Sequence, residues 1–269
     1  MIDAHQHFWR IGRHGQVWPT PDMPALHHDA LPDAFERLAR PAGVTGSVVV
    51  QSQPDDRDTD YLVALATEEP FVRGVVGWAD LEAPEAPRRV AFLADRPKFR
   101  GLRPMLQSLA RDDWIAEARI DGPIGAMIDR SLVFDALVDT RHLRPLHRFA
   151  RRWPELTIVI DHAAKPPIGE DPRPWRDGLA ALATEPNVHC KLSGLTTEVR
   201  RGNPGEMLPT VIDEIAALFG PARLLWGSDW PVLNLASRYE DWLSLCRSRI
   251  ASDAHEAVFG GNARRLYRL

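Results

Sequence analysis

Eight short apolar runs of strand length recur along the 269-residue chain: Ile2–His7, Thr45–Ser52, Arg73–Leu81, Phe99–Met105, Leu132–Val138, Leu156–His162, Val188–Leu195 and Arg223–Val232. Most of the gaps between them carry apolar residues spaced at three and four, as in Leu31–Arg40, Asp60–Glu69, Pro87–Asp95, Leu143–Trp153, Trp175–Thr184, Pro209–Phe219 and Tyr239–Ile250, which is the period of a helix with one buried face. Runs that are apolar throughout suit parallel strands covered on both sides. Regular alternation of strand and helix over this length predicts an α/β fold, a (β/α)₈ TIM barrel with residues 1–269 forming one domain. An open doubly wound sheet uses the same ingredients, but its first turn is usually rich in glycine. Here the first run ends in His5-Gln6-His7.

Two stretches break the rhythm. Arg10–Asp29, rich in Trp, Pro and His, reads as a long loop after the first strand, and Asp112–Arg130, with Trp114 and a Gly122-Pro123 turn, reads as a partial lid. In a barrel the loops that follow the strands surround the active site. Asp58-Thr59-Asp60 before Tyr61 reads as a helix start.

The strand ends are unusually polar. They carry His5 and His7, Gln51 and Gln53, Trp78 and Asp80, Arg103, Asp135, His162 with Lys165, Lys191 with Ser193, and Asp229. Burying such groups without partners costs on the order of 1–3 kcal/mol each, so core packing does not account for them. In a strand, residues i and i+2 face one side, which sends His5 and His7 in the same direction. With His162 and Asp229 at matching ends, they form the expected metal set: His5, His7, His162 and Asp229. Imidazole and carboxylate are the ligands of zinc and similar ions, and a bound ion would polarise a carbonyl and acidify a water. Asp229 is equally placed to act as general base. A bridging lysine for a second metal is missing from the fifth run, so one divalent ion, zinc, is the expectation.

Arg103, two residues after Gly101, suits a carboxylate or a developing oxyanion. Gly101 is read as leaving room for that guanidinium. Gln51, Trp78, Trp114 and Lys165 are candidates for holding a substrate, the amides and ammonium through hydroxyls and the indoles through a sugar face. Cys190 and Cys246 read as reduced and structural. The balance of 33 Lys and Arg against 37 Asp and Glu, without blocks of one sign, argues against a nucleic-acid or acidic-membrane partner. The first residues are strand-like rather than a leader, and no apolar run approaches the length of a membrane span; the expectation is a cytoplasmic protein acting on a small molecule.

The stretches Ile2-Asp3-Ala4-His5-Gln6-His7-Phe8-Trp9, Gly74–Leu81, Arg100-Gly101-Leu102-Arg103, Asp161-His162-Ala163-Ala164-Lys165-Pro166, Lys191–Leu195 with Thr197-Glu198, and Gly227-Ser228-Asp229-Trp230-Pro231-Val232 resemble, in order, those of the amidohydrolase superfamily. Within it they are similar to the amidohydrolase-2 branch, which contains sugar-acid lactonases acting on L-fucono- and L-rhamnono-lactones. The resemblance implies a barrel hydrolase with His5, His7, His162 and Asp229 in the metal and catalytic positions. The branch does not always need its metal. The loop after the first strand departs from the branch pattern, with Val17-Trp18-Pro19-Thr20-Pro21 where Tyr-Pro-Trp-Leu is common.

The expected reaction is hydrolysis of a small sugar-acid lactone. Asp229 would take a proton from water, with Arg103 and His162 stabilising the oxyanion. Two other readings stay open: a metal-dependent decarboxylase or other ring or amide hydrolase of the same branch, and an inactive sugar-binding barrel.

Overall fold

The computed structural model describes residues 1–200 and 204–269. Eight strands, β1 (Ile2–Gln6), β2 (Gly46–Val50), β3 (Val72–Gly77), β4 (Phe99–Leu102), β5 (Val133–Ala136), β6 (Ile158–Ile160), β7 (Val188–Leu192) and β8 (Leu224–Trp226), pair in parallel in sequence order. The helices between them are α1 (Pro32–Ala39), α2 (Asp56–Glu68), α3 (Ala86–Ala94), α4 (Trp114–Glu117), α5 (Asp121–Asp129), α6 (Leu143–Arg152), α7 (Arg173–Ala183), α8 (Pro204–Phe219), α9 (Tyr239–Arg249) and α10 (Asn262–Tyr267). This is the (β/α)₈ barrel that the alternation predicts. Its seam closes just past β8: Gln6 bridges Trp230, the His7 N–H donates to the Trp230 carbonyl, and the Asp229 N–H donates to that of His5, both at 2.8 Å.

Two apolar layers hold the barrel. Inside it, Ile2, Val48, Val50, Val76, Val133, Val159 and Leu225 pack on Ala263 and Tyr267, so α10 closes the end where the strands begin. The larger layer fills the space between strands and helices, with Phe35, Leu62, Leu93, Phe149, Trp175 and Trp242 among its members. Strands buried on both faces are the reason that the eight runs read as continuous apolar stretches rather than alternating ones.

Several boundaries differ from expectation. Helix α2 begins earlier, capped by the Asp55 side chain, which accepts from the Arg57 N–H. Asp58 instead turns inward, where one carboxylate oxygen accepts from the backbone N–H of Ser52 and Gln53 at 2.8 and 3.1 Å. Pro209, expected at a helix start, lies inside α8; with no N–H it forgoes one helical hydrogen bond. Asp112–Arg130 is not an irregular lid but contains α4 and α5, and Trp114 Nε1 donates to Glu82 at 2.8 Å. Gly101 serves the sheet rather than the guanidinium, because a Cβ there would lie 2.5 Å from the Val133 carbonyl oxygen of β5.

Candidate active site

The end of the barrel where the strands finish holds a cavity of about 370 Å³ whose lining includes His7, Trp18, Gln53, Arg103, His162, Lys165, Glu198 and Asp229. The loop Arg10–Asp29 forms part of its wall through Val17 and Trp18. Gln53 fastens that loop: its side-chain oxygen accepts from the N–H of Val17 and Trp18, and its amide donates to the Trp18 carbonyl. Met105, Leu137 and Val232 add an apolar side, so the cavity offers both polar and apolar contact to a ring.

At its floor, His7 Nδ1 lies 2.7 Å from the Val50 carbonyl. A carbonyl only accepts, so Nδ1 carries a proton, and in the neutral ring it is Nε2 that presents a lone pair. That Nε2 is 3.2 Å from His5 Nε2 and 3.2 Å from Asp229 Oδ1, and His5 Nε2 is 3.7 Å from the same oxygen. These three atoms lie at the spacing of ligands that share one cation. Donors of a tetrahedral zinc ion, bonded at about 2.0–2.1 Å, sit about 3.3–3.4 Å apart. His5, His7 and Asp229 therefore fit a single divalent ion. His5, Asp161 and His162 form a second group with ligand atoms close together, and the His5 and His162 rings are 4.5 Å apart.

The electrostatics agree. Burial of Asp229 favours its neutral form, but the surrounding His162, His7 and His5 outweigh that and hold the carboxyl well below its usual range. Burial lowers His162 to about 4, against the opposing pull of Asp229 and Asp161, and it drives His5 well below its ordinary value. An ionised Asp229 beside His5 and His162 rings whose protonation burial disfavours is the state a metal site needs.

Backbone conformation is strained at the same place. His162 through Lys165 all have positive φ, between 49° and 59°, and Asp229 has φ 61°. Left-handed conformations cost roughly 1–2 kcal/mol for residues other than glycine, and they collect where a side chain must be aimed. Gly194, with φ +64°, must stay glycine for a different reason. A Cβ there would overlap His162 Nδ1 and lie 3.1 Å from Asp229 Oδ2. Ser193 completes the setting at 2.9 Å from His162 Nδ1.

Of the residues expected at the site, His7, His162, Arg103, Lys165 and Asp229 line the cavity, and His5 lies just beneath it against His7. Arg103 is buried; its Nη2 donates to the Gln51 carbonyl and its Nε has no partner. Gln51, Trp78 and Trp114 are not part of the lining. Gln51 is fully buried and donates to the Arg103 carbonyl at 2.8 Å, and the Trp78 backbone is held by Thr59. Asp161, beside His162 in the chain, was not expected; its Oδ1 is 3.3 Å from His5 Nδ1. Glu198, which lines the cavity 3.8 Å from Lys165, is raised above its usual range by burial.

Comparison with known proteins agrees with the fold. The chain is 47% identical over its whole length to an L-fucono-1,5-lactonase of Burkholderia ambifaria, of which 95% is covered. It is 37% identical to an L-fucono-1,5-lactonase of Burkholderia multivorans, with 100% of this chain and 96% of the relative aligned. A crystal structure of an amidohydrolase from Burkholderia multivorans with bound zinc superposes with a TM-score of 0.92 at 36% identity, covering 100% of this chain and 99% of the other. The amidohydrolase (Amidohydro_2) family profile matches residues 2–269, and the chain belongs to that family.

Proposed function

We propose that this protein hydrolyses a sugar-acid lactone, L-fucono-1,5-lactone or a close stereochemical relative, to the open aldonic acid, with residues 1–269 acting as one catalytic domain. The observation that carries the reading is the Asp229 carboxylate set 3.2 Å from Nε2 of His7, on the floor of a cavity with polar and apolar sides. The two nearly full-length lactonase relatives support the same substrate class.

The two oxygens of Asp229 have separate tasks. Oδ1 faces His5 and His7, whereas Oδ2 is turned toward Gly194 in the cavity lining. Oδ2 takes a proton from the attacking water as its oxygen bonds to the lactone carbonyl carbon. Arg103 faces the developing oxyanion as a positive charge fixed in place before the reaction begins. Collapse of the tetrahedral intermediate breaks the bond to the ring oxygen, and the proton on Asp229 passes to that oxygen. Lys165 and Glu198 at the wall bind ring hydroxyls. His5, His7 and Asp229, with His162 adjacent, would hold one divalent ion such as zinc, which supplies carbonyl polarisation and a more acidic water.

The test is acid release from a panel of L- and D-aldonolactones, followed with a pH indicator, before and after exhaustive chelation. Rapid, stereoselective opening of L-fucono-1,5-lactone is the expected result. Loss on chelation with recovery on adding zinc assigns the ion a working part; retention assigns catalysis to Asp229 and the protein donors. No acid release from any lactone in either state overturns the reading.

A further inference from the structure

Asp3 of β1 takes no part in the proposed reaction, yet its side chain is fully buried at the seam of the barrel. One carboxylate oxygen, Oδ1, accepts from the backbone N–H of His5 at 3.1 Å and from that of Ser228 at 2.9 Å. The other, Oδ2, accepts from the Tyr239 hydroxyl of α9 at 3.0 Å. All three donors are neutral. Burying a carboxyl group among neutral donors is expensive, and strands pair without the help of side chains. Packing and sheet formation give no reason for an Asp at this place.

The strand itself supplies one. From Asp3 to Gln6, β1 takes three steps where β2 takes two, from Ser47 to Val49, so β1 is bulged there. A bulge disrupts the regular ladder and re-aims a side chain. His5 lies within it, and the N–H of His5 is one of the two that Asp3 receives. Across the seam, Gly227 lets the two chain segments approach: a Cβ there would lie 2.7 Å from His5 Cβ and 2.9 Å from His5 N. The Gly227 carbonyl is held in turn by Trp242 Nε1 of α9 at 2.9 Å. One oxygen of Asp3 thus ties the bulged residue to the residue just before Asp229.

We propose that Asp3 is a positioning residue for the site: by holding the N–H groups of His5 and Ser228 on one oxygen, it sets how far the His5 ring stands from the Asp229 carboxylate. A second link lies beside it, because the Asp229 N–H donates to the His5 carbonyl at 2.8 Å. Together they fix the 3.7 Å between His5 Nε2 and Asp229 Oδ1. Tyr239 keeps the Asp3 carboxyl group from turning. The two N–H groups need only an acceptor oxygen, so Asn can do the work of Asp and an apolar residue cannot. The assignment deepens the reading given under Proposed function and rests on its pairing of His5 with Asp229.

Asp3→Ala and Asp3→Asn test the pin. Asn262→Ala is the control, because it takes the donor from the Pro221 and Leu224 carbonyls at the opposite end of the barrel and touches no part of the seam. Stability is followed by denaturant titration, zinc affinity by competition with a chromogenic chelator, and kcat and KM on the best lactone. Asp3→Ala should lower zinc affinity and kcat about 10–100-fold each, with KM changed less than about threefold. Asp3→Asn should keep both within about threefold of wild type, and so should Asn262→Ala despite its loss of stability. Should Asp3→Ala fail to unfold cooperatively, Tyr239→Phe decides: it frees Oδ2 alone, and both quantities should fall about 3–10-fold. A folded Asp3→Ala, or Tyr239→Phe in its stead, with zinc affinity and kcat within about threefold of wild type overturns the proposal. An Asp3→Asn or an Asn262→Ala that falls as far as Asp3→Ala overturns it as well. The zinc titration needs no substrate, so failure here is distinct from failure of the lactonase reading.

Discussion

The cavity where the strands end and the groove at the opposite end of the barrel differ in the reverse of the sense their sizes suggest. The groove is the larger, at about 530 Å³ against 370 Å³, and it too is lined by charged residues, including Arg223 and Arg265, with His189 and Asn262. Its arginines and Asn262 are already committed. Arg223 donates to the carbonyls of Ala183, Glu185 and Val188, Arg265 to that of Ala222, and Asn262 to those of Pro221 and Leu224. They tie down the backbone that leads into β7 and β8. At the other end Nε2 of His5 and Nε2 of His7 converge on one oxygen of the Asp229 carboxylate. Convergence of metal-ligating atoms on one point, not volume, separates a site from a crevice.

The contrast can be broken in four ways, taken from the largest effect to the smallest. Asp229→Asn removes the proton acceptor while keeping its shape, and kcat should fall by about 10³, within the usual range for a general base; a folded variant with near-normal turnover would move the chemistry off Asp229. Gly194→Ala drives a methyl group into His162. Displacing a catalytic group by an ångström costs up to about 10² in rate, so turnover should fall about 10–100-fold, with stability lowered by the roughly 1–2 kcal/mol that the left-handed conformation costs alanine.

Asp58→Asn probes what the mouth costs the fold. Burial raises Asp58 to about 6 from the ordinary 3.8, so the folded state binds more protons than the unfolded chain between those values. The stability it contributes is present below about pH 4 and lost as pH rises through 6. Relative to wild type, Asp58→Asn should therefore gain stability from pH 4 to pH 7 by up to about 3 kcal/mol, readable by denaturant titration at both values. His189→Gln is the control at the groove. Its Nδ1 is buried without a partner and burial lowers the ring to about 4, yet turnover should stay within about twofold, as expected for a change that touches no reacting group. A larger loss would mean that the two ends are coupled.

The barrel was legible because each strand is buried on both faces and so leaves a solid apolar run in the sequence. The residues proposed for the reaction were legible for a related reason: His5, His7 and Asp229 are polar types set where apolar runs end. What lay deeper was not. A run read as Leu156–His162 alternates to its end and sends Asp161 and His162 to opposite faces. In the molecule β6 stops at Ile160 and the backbone turns left-handed at His162, so both side chains reach His5. Conformations with positive φ leave little trace in a sequence without glycine. The same limit applies to Gln51, whose amide serves the Arg103 carbonyl just past β4, two strands away, and to Tyr267, whose long-range bond to Asp135 no local pattern announces.

The barrel seam joins β1 to the segment after β8 through the backbone of His5, His7, Asp229 and Trp230. The last stitch that closes the cylinder is thus made by residues to which the proposed reaction assigns its metal and its base, drawn from distant parts of the polypeptide. A chain still open at that seam has its histidines on one flap and its carboxylate on the other. Nascent or half-length forms are consequently inert however much structure they hold, and turnover reports the fraction of molecules whose two ends have met.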